Sequence, residues 1–207
     1  MNASRQGLLI FPTPLHIIDF DDLTFCDRAA AEIKNMQDTG LGGGDHLCWT
    51  TPDDLHKRDK FQELTTIIEN EINLVFDNIG VLRDSFYITC MWANISKPDN
   101  RHALHMHANS FYSGVIYLET HGNPGNIGFK DPRYGSELLS FDYSADSIFK
   151  SRTHEVTPKK GRLIFFPSWL AHGTKSGNFE YSQNRISLSF NVMPRCTIQD
   201  FTRKLTL

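Results

Sequence analysis

Only four cysteines occur in the 207 residues, at positions 26, 48, 90 and 196, and no two form a C-x-x-C pair. That spacing excludes a disulfide scaffold and a zinc finger, and it suits a reducing, cytoplasmic setting. Each thiol reads as a small buried hydrophobe. Long apolar runs are missing as well. Nothing approaches the ~18–20 residues that a membrane span requires. Near the N-terminus, Leu8-Leu9-Ile10-Phe11 is stopped by Pro12 and is too short for the core of a signal peptide. Positive charge is not in excess: 21 Lys and Arg against 24 Asp and Glu give a formal net charge of -3. Such a balance carries no electrostatic footprint for nucleic acid. No segment repeats with a long period and none is low in complexity. The expected partner is a small-molecule or peptidyl substrate, with no membrane and no nucleic acid; the sequence leaves the oligomeric state open.

What is present is apolar material for one sizeable core: 40% hydrophobic residues, 15 of them Phe. The length fits one domain spanning 1–207, with 1–84 mostly helical support and 85–195 a β core. Phe25, Ala29, Ile33 and Met36 lie at helical spacing between Asp22 and Thr39, and Gly40 ends that stretch. Phe61, Leu64, Ile68, Ile72, Val75 and Ile79 form a second stripe that Gly80 stops, with Asp59 and Gln62 placed as a capping box. From Ser85 onward the pattern changes. Phe86–Ile95, Tyr112–Glu119, Asn126–Lys130, Leu138–Tyr143, Arg162–Phe166 and Arg185–Met193 read as strands. The turns between them carry Gly122 to Gly125, Asp131-Pro132-Arg133 and Pro158 to Gly161. Many short strands indicate a β-sandwich or barrel such as a jelly roll, with the two helices covering one sheet.

Three groups of residues carry chemistry. In His105-Met106-His107 an extended backbone puts both imidazoles on one face, the way one strand presents two ligands to one metal ion. Two histidines of the surface or core are the plain alternative. Strand Arg162–Phe166 runs through Pro167 to His172, which a barrel would bring to face the first pair. In Arg185-Ile186-Ser187 the Arg and Ser share a face while Ile186 and Leu188 look to the core. An inward guanidinium is costly unless it meets an anion. With a hydroxyl beside it, it suits a carboxylate. An internal Asp or Glu is the other available partner.

Together these blocks resemble the iron(II)/2-oxoglutarate-dependent oxygenases. They are most similar to a subfamily known largely from marine bacteria and phages. The similarity also runs through Phe11-Pro12-Thr13-Pro14, Trp49-Thr50-Thr51, Met91 to Ile95, Ala108-Asn109-Ser110, Ser113 to Leu118 and Phe129 to Arg133. The resemblance implies a double-stranded β-helix (cupin-like) and a hydroxylase that consumes 2-oxoglutarate and oxygen and releases succinate and CO2. It implies Fe(II) on His105, His107 and His172, and 2-oxoglutarate on Arg185 and Ser187. Tyr117 resembles a tyrosine that reaches 2-oxoglutarate in prolyl hydroxylase relatives; a barrel-wall tyrosine is the other reading. Asn94 either lines that pocket or bonds a strand edge.

One position departs from the superfamily pattern. A carboxylate stands two residues after the first His in most relatives, and here it is His107. Either three imidazoles hold the iron or a carboxylate such as Asp131 comes from elsewhere, although Asp131 before Pro132 also suits a turn. Both arrangements leave three positions open on a six-coordinate ion. His16, His46, His56, His102, His121 and His154 lie in turn-like or polar contexts and read as bystanders. Two functions of other classes stay open. One is a cupin-like three-histidine iron dioxygenase without 2-oxoglutarate, the other a non-catalytic β-sandwich binding module.

Overall fold

Phe25, Cys26, Ala29, Ala30, Ile33 and Met36 are the buried face of α1 (Thr24–Asp38). Asp22 accepts a hydrogen bond from the Thr24 N–H just before it, and Gly40, at φ +75°, follows its end. The structure, a computed structural model, describes residues 4, 6–8, 10–133, 142–144, 152–199 and 204–206. Helix α2 (Gln62–Asn78) buries Leu64, Ile68, Ile72, Val75 and Phe76. Its start differs from the expected capping box. Asp59–Phe61 is a separate 3-10 turn in which the Arg58 carbonyl takes the Phe61 N–H, and no side chain caps α2. Gln62 instead donates its amide to the His56 carbonyl.

The strands are β1 (His16–Asp19), β2 (Gly43–Gly44), β3 (Cys48–Thr50), β4 (Ser85–Ser96), β5 (Tyr112–Glu119), β6 (Ile127–Lys130), β7 (Thr153–Val156), β8 (Arg162–Pro167), β9 (His172–Thr174) and β10 (Arg185–Arg195). A terminal hairpin pairs β11 (Thr197–Gln199) with β12 (Lys204–Thr206). Seven strands form one antiparallel sheet in the order β1-β8-β5-β10-β4-β3-β2, and three form a smaller one, β7-β6-β9. The N-terminal part is therefore more than helical support: β1 extends one edge of the large sheet, and β3 and β2 extend the other. Of the expected strand Leu138–Tyr143, the residues 138–141 lie outside the described residues, and 142–144 have no regular structure.

Alternation along the strands sorts the interior into two layers. Ile186, Leu188, Phe190 and Val192 of β10 join α1, α2, Met91, Ala93, Ile116, Leu163 and Phe165 in one core. The opposite face of the large sheet meets the small one through Val115, Tyr117, Ile127, Phe129, Val156, Ile164, Phe166 and Leu170. Two facing sheets with helices on the outer face of the larger make a double-stranded β-helix. Gly161, at φ +77°, is the turn glycine before β8. A Cβ there would stand 2.2 Å from a methyl of Leu23.

Candidate metal and co-substrate site

The face of β10 turned to the small sheet is polar where a core strand would be apolar. Register stacks its residues into tiers: Arg185 opposite Ser96, Ser187 opposite Asn94 and Tyr117, Ser189 opposite Trp92 and Val115. All of these except Ser96 line one cavity of about 90 Å³, together with His102, His105, His107, Phe166, His172 and Thr174. The next tier closes the floor with a hydrogen-bonded group, Ser113 Oγ to Asn191 Oδ1 at 2.7 Å and to Ser168 Oγ at 2.8 Å.

The three histidines expected to meet do meet. One ligand nitrogen from each of His105, His107 and His172 lies within 4.8 Å of the others, and this is the metal-capable group found among the described residues. The H-x-H segment is not a regular strand; backbone bonds to the opposite chain hold it. His105 and His172 exchange N–H···O bonds at 2.9 and 3.0 Å, and the His107 N–H reaches the Ser168 carbonyl at 3.0 Å. Gly173 makes that approach possible, because a Cβ there would lie 2.8 Å from the His102 carbonyl oxygen.

Ring orientation is set from behind. His105 Nδ1 donates to the Ala103 carbonyl at 2.8 Å and His172 Nδ1 to the Leu170 carbonyl at 2.9 Å. A carbonyl only accepts, so Nδ1 carries the proton in each and Nε2 presents a lone pair. His172 also packs against Phe166 and Phe129, at ring separations of 4.6 and 5.9 Å. Burial, with His105 adding to it, pushes the His107 imidazole down to about 4. Burial chiefly does the same to His172, down to about 4. Both rings are thus neutral at pH 7, the form that binds metal. His107 Nε2 stands 3.3 Å from His172 Nε2. Two nitrogens at ~2.1 Å from one ion and at right angles stand ~3.0 Å apart, so the pair suits a shared ion.

Arg185 is 3% exposed. Nη1 donates to the Pro124 carbonyl at 2.7 Å, while Nε is buried without a partner. Burial pulls its pKa below the usual arginine value. The internal Asp or Glu that could have answered it is absent among the described residues, so the anion it suits must come from outside. Tyr117 is buried beside it, its phenol pushed up to about 12 by burial. Asn94 lines the cavity, and its Oδ1 accepts from Thr50 Oγ1 at 2.8 Å on the neighbouring strand β3.

Asp131 is placed differently. Its carboxylate pairs with Arg133 at 2.6 Å and lines a separate groove of about 510 Å³ with Phe11, Leu15, Phe129, Arg152 and Leu170. Its Oδ1 also accepts from the Arg133 N–H, the turn role noted above. His102, a bystander by its local sequence, lines the histidine cavity. Its place follows from the pairing of its backbone with Thr174, which no local pattern announces. Trp92 and Ser189 were likewise missed as lining residues, although they continue the faces of Asn94 and Ser187.

Residues 90–191 match the family described as "Putative 2OG-Fe(II) oxygenase". Among curated proteins no relative matches. Solved structures do. A Pseudomonas putida prolyl-4-hydroxylase aligns over 89% of this chain and 94% of its own, with TM-score 0.62 and 14% identity. HygX from Streptomyces hygroscopicus, with nickel and 2-oxoglutarate bound, aligns over 88% and 83%, with TM-score 0.60 and 14% identity. The α-ketoglutarate-dependent epimerase SnoN from nogalamycin biosynthesis aligns over 88% and 78%, with TM-score 0.65 and 14% identity. At such identities these likenesses speak for the double-stranded β-helix fold. The matched segment runs from β4 through all three histidines to the polar face of β10, and on it the chain belongs to the 2-oxoglutarate/iron(II)-dependent oxygenases.

Proposed function

We propose that this oxygenase is a hydroxylase of a small molecule or a peptidyl side chain, with Fe(II) held by His105, His107 and His172 and 2-oxoglutarate held by Arg185 and Ser187. One observation carries the reading. A buried guanidinium without a carboxylate partner shares a small cavity with three convergent imidazoles. A three-histidine dioxygenase that cleaves its substrate directly has no use for that guanidinium, and a binding module has no use for either. The four free cysteines support a cytoplasmic setting. Among the described residues no helix is long and apolar enough to cross a membrane.

When bound, iron and 2-oxoglutarate supply the oxidising chemistry, with succinate and CO2 as by-products. The chain's residues do the rest. The carbonyls of Ala103 and Leu170 keep two ligand lone pairs aimed inward, and the Phe129 and Phe166 rings hold His172 in place. Three neutral imidazoles leave the ion's charge uncompensated, which favours a dianionic co-substrate. Ser187, Asn94 and Tyr117 supply polar contacts along its length, and Val115, Ile127 and Phe166 exclude water from that end. Asp131 remains the alternative ligand, and its pairing with Arg133 speaks against it.

The test is anaerobic reconstitution with Fe(II) and 2-oxoglutarate, admission of oxygen, and a succinate screen over metabolite and peptide pools. Substrate-dependent succinate with one added oxygen in the product is the expected result. Oxygen uptake without succinate would replace this reading with the direct dioxygenase. His172→Ala should bind no iron and release no succinate while keeping its circular-dichroism spectrum.

A further inference from the structure

We propose that His102 is a further anchor for the co-substrate, donating a hydrogen bond from Nδ1 to the distal carboxylate of 2-oxoglutarate beside Arg185. The inference rests on the reading above that Arg185 grips that carboxylate. Three observations lead to it, and none involves the iron ligands. First, His102 belongs to the Arg185 tier. Ser96 lies opposite Arg185 in register, Asn100 Nδ2 donates to Ser96 Oγ at 3.0 Å, and the same Nδ2 lies 3.3 Å from His102 Nε2. Second, the orientation of the Asn100 amide, its nitrogen turned to both Ser96 Oγ and the ring, sets the tautomer. The amide nitrogen of Asn100 can only donate, so Nε2 must accept, and the ring proton sits on Nδ1. Third, Nδ1 has no hydrogen-bond partner among the described residues, although the imidazole lines the cavity.

The backbone holds this arrangement from both sides. The His102 N–H donates to Thr174 Oγ1 at 2.9 Å and its carbonyl accepts the Thr174 N–H at 3.0 Å. Asn100 is itself buried, so the relay from Ser96 to the ring is sheltered from water. Burial, and next the neighbouring Arg185, hold the imidazole below its usual range, which keeps it a neutral donor. A neutral N–H beside a guanidinium adds a directed contact to a carboxylate without a second buried charge.

The experiment measures binding rather than turnover. Mn(II) replaces iron under anaerobic conditions, and affinity is read by calorimetry for 2-oxoglutarate and for 2-oxopentanoate, which keeps the keto acid but lacks the distal carboxylate. His102→Leu should weaken 2-oxoglutarate about ten- to a hundredfold, the worth of a hydrogen bond to a charged group. It should leave Mn(II) and 2-oxopentanoate affinities unchanged. His102→Asn, whose amide nitrogen lies near the place of Nδ1, should recover most of the loss. Unchanged 2-oxoglutarate affinity in His102→Leu, an equal loss for both acids, or no recovery in His102→Asn would each overturn the assignment. Arg185→Met, run in parallel, separates the two readings. If it too binds 2-oxoglutarate like the parent, the carboxylate site itself is misplaced and both fall. If it alone loses the acid selectively, only His102 is refuted.

Discussion

Replacing Arg185 with Met tests the co-substrate site through stability as well as affinity. A buried charge without a counter-charge costs several kcal/mol, reduced here by the Nη1 bond to the Pro124 carbonyl at 2.7 Å. Met fills much of the same volume, removes the charge and leaves that carbonyl unpaired, a penalty of about 1–3 kcal/mol. Relief and penalty are of similar size, so the ligand-free variant should lie within about 2 kcal/mol of the parent. With ligand the two should part. Losing one side of a buried charge pair costs about 2–5 kcal/mol of binding, or ~30- to ~5,000-fold in affinity. In the parent, 2-oxoglutarate with Mn(II) at about 100 times its Kd adds about 2.7 kcal/mol of stability. For a chain near 200 residues each kcal/mol moves Tm by about 2–4 °C, so the shift should be about 5–11 °C. Anaerobic thermal unfolding followed by near-ultraviolet circular dichroism reads both quantities. A loss well beyond about 8 °C in ligand-free Arg185→Met, or the full ligand-induced shift retained in the variant, would refute the assignment. The first result would make Arg185 a structural residue, and the second would put the carboxylate elsewhere.

Three more outcomes follow from the same geometry. His107→Ala should lose most metal affinity in equilibrium dialysis with Mn(II), whereas Asp131→Asn should keep it; the reverse pattern would restore a two-histidine, one-carboxylate site. Gly173→Ala should weaken metal binding about tenfold or more while costing about 1–3 kcal/mol of stability, because the new methyl must push the His102–Leu104 backbone off β9. Parent-like metal affinity in that variant would show that the two segments can part without harm. For acid, the sign runs one way. His16, His56, His102, His107 and His172 are all held below the unfolded value of 6.5, the last two at about 4, with burial the first cause in each. The unfolded chain therefore takes up protons first, and metal-free stability is full above about pH 6.5 and falls progressively towards pH 4. Urea midpoints between pH 7.5 and 4.5 measure it, and a flat profile would contradict the burial of these rings.

Amino-acid order alone settled what depends on neighbours along the chain. Apolar residues at helical spacing and turn glycines mark α1 and α2, and β-branched and aromatic runs mark β4, β5, β8 and β10, each long enough to declare its period. The same alternation put Arg185 and Ser187 on one face, and the motif blocks along the chain carried the resemblance to the family. Tertiary structure decided what depends on partners far along the chain. Strand β9 has three residues and β1 four, too few for a pattern, and each exists through pairing with β6 or β8. The capping box failed because the Arg58 carbonyl had already claimed the turn before α2. By sequence His107 is the expected third ligand and Asp131 the alternative, a choice that letters along the chain do not close. Backbone bonds to β9 and the Ser168 carbonyl turned the imidazole inward, while Arg133 held the carboxylate in another groove. His102 had no local signal at all. Its meaning comes from Asn100, Ser96 and Thr174, and a hydrogen-bond donor becomes a site only when folding leaves it facing an unanswered charge.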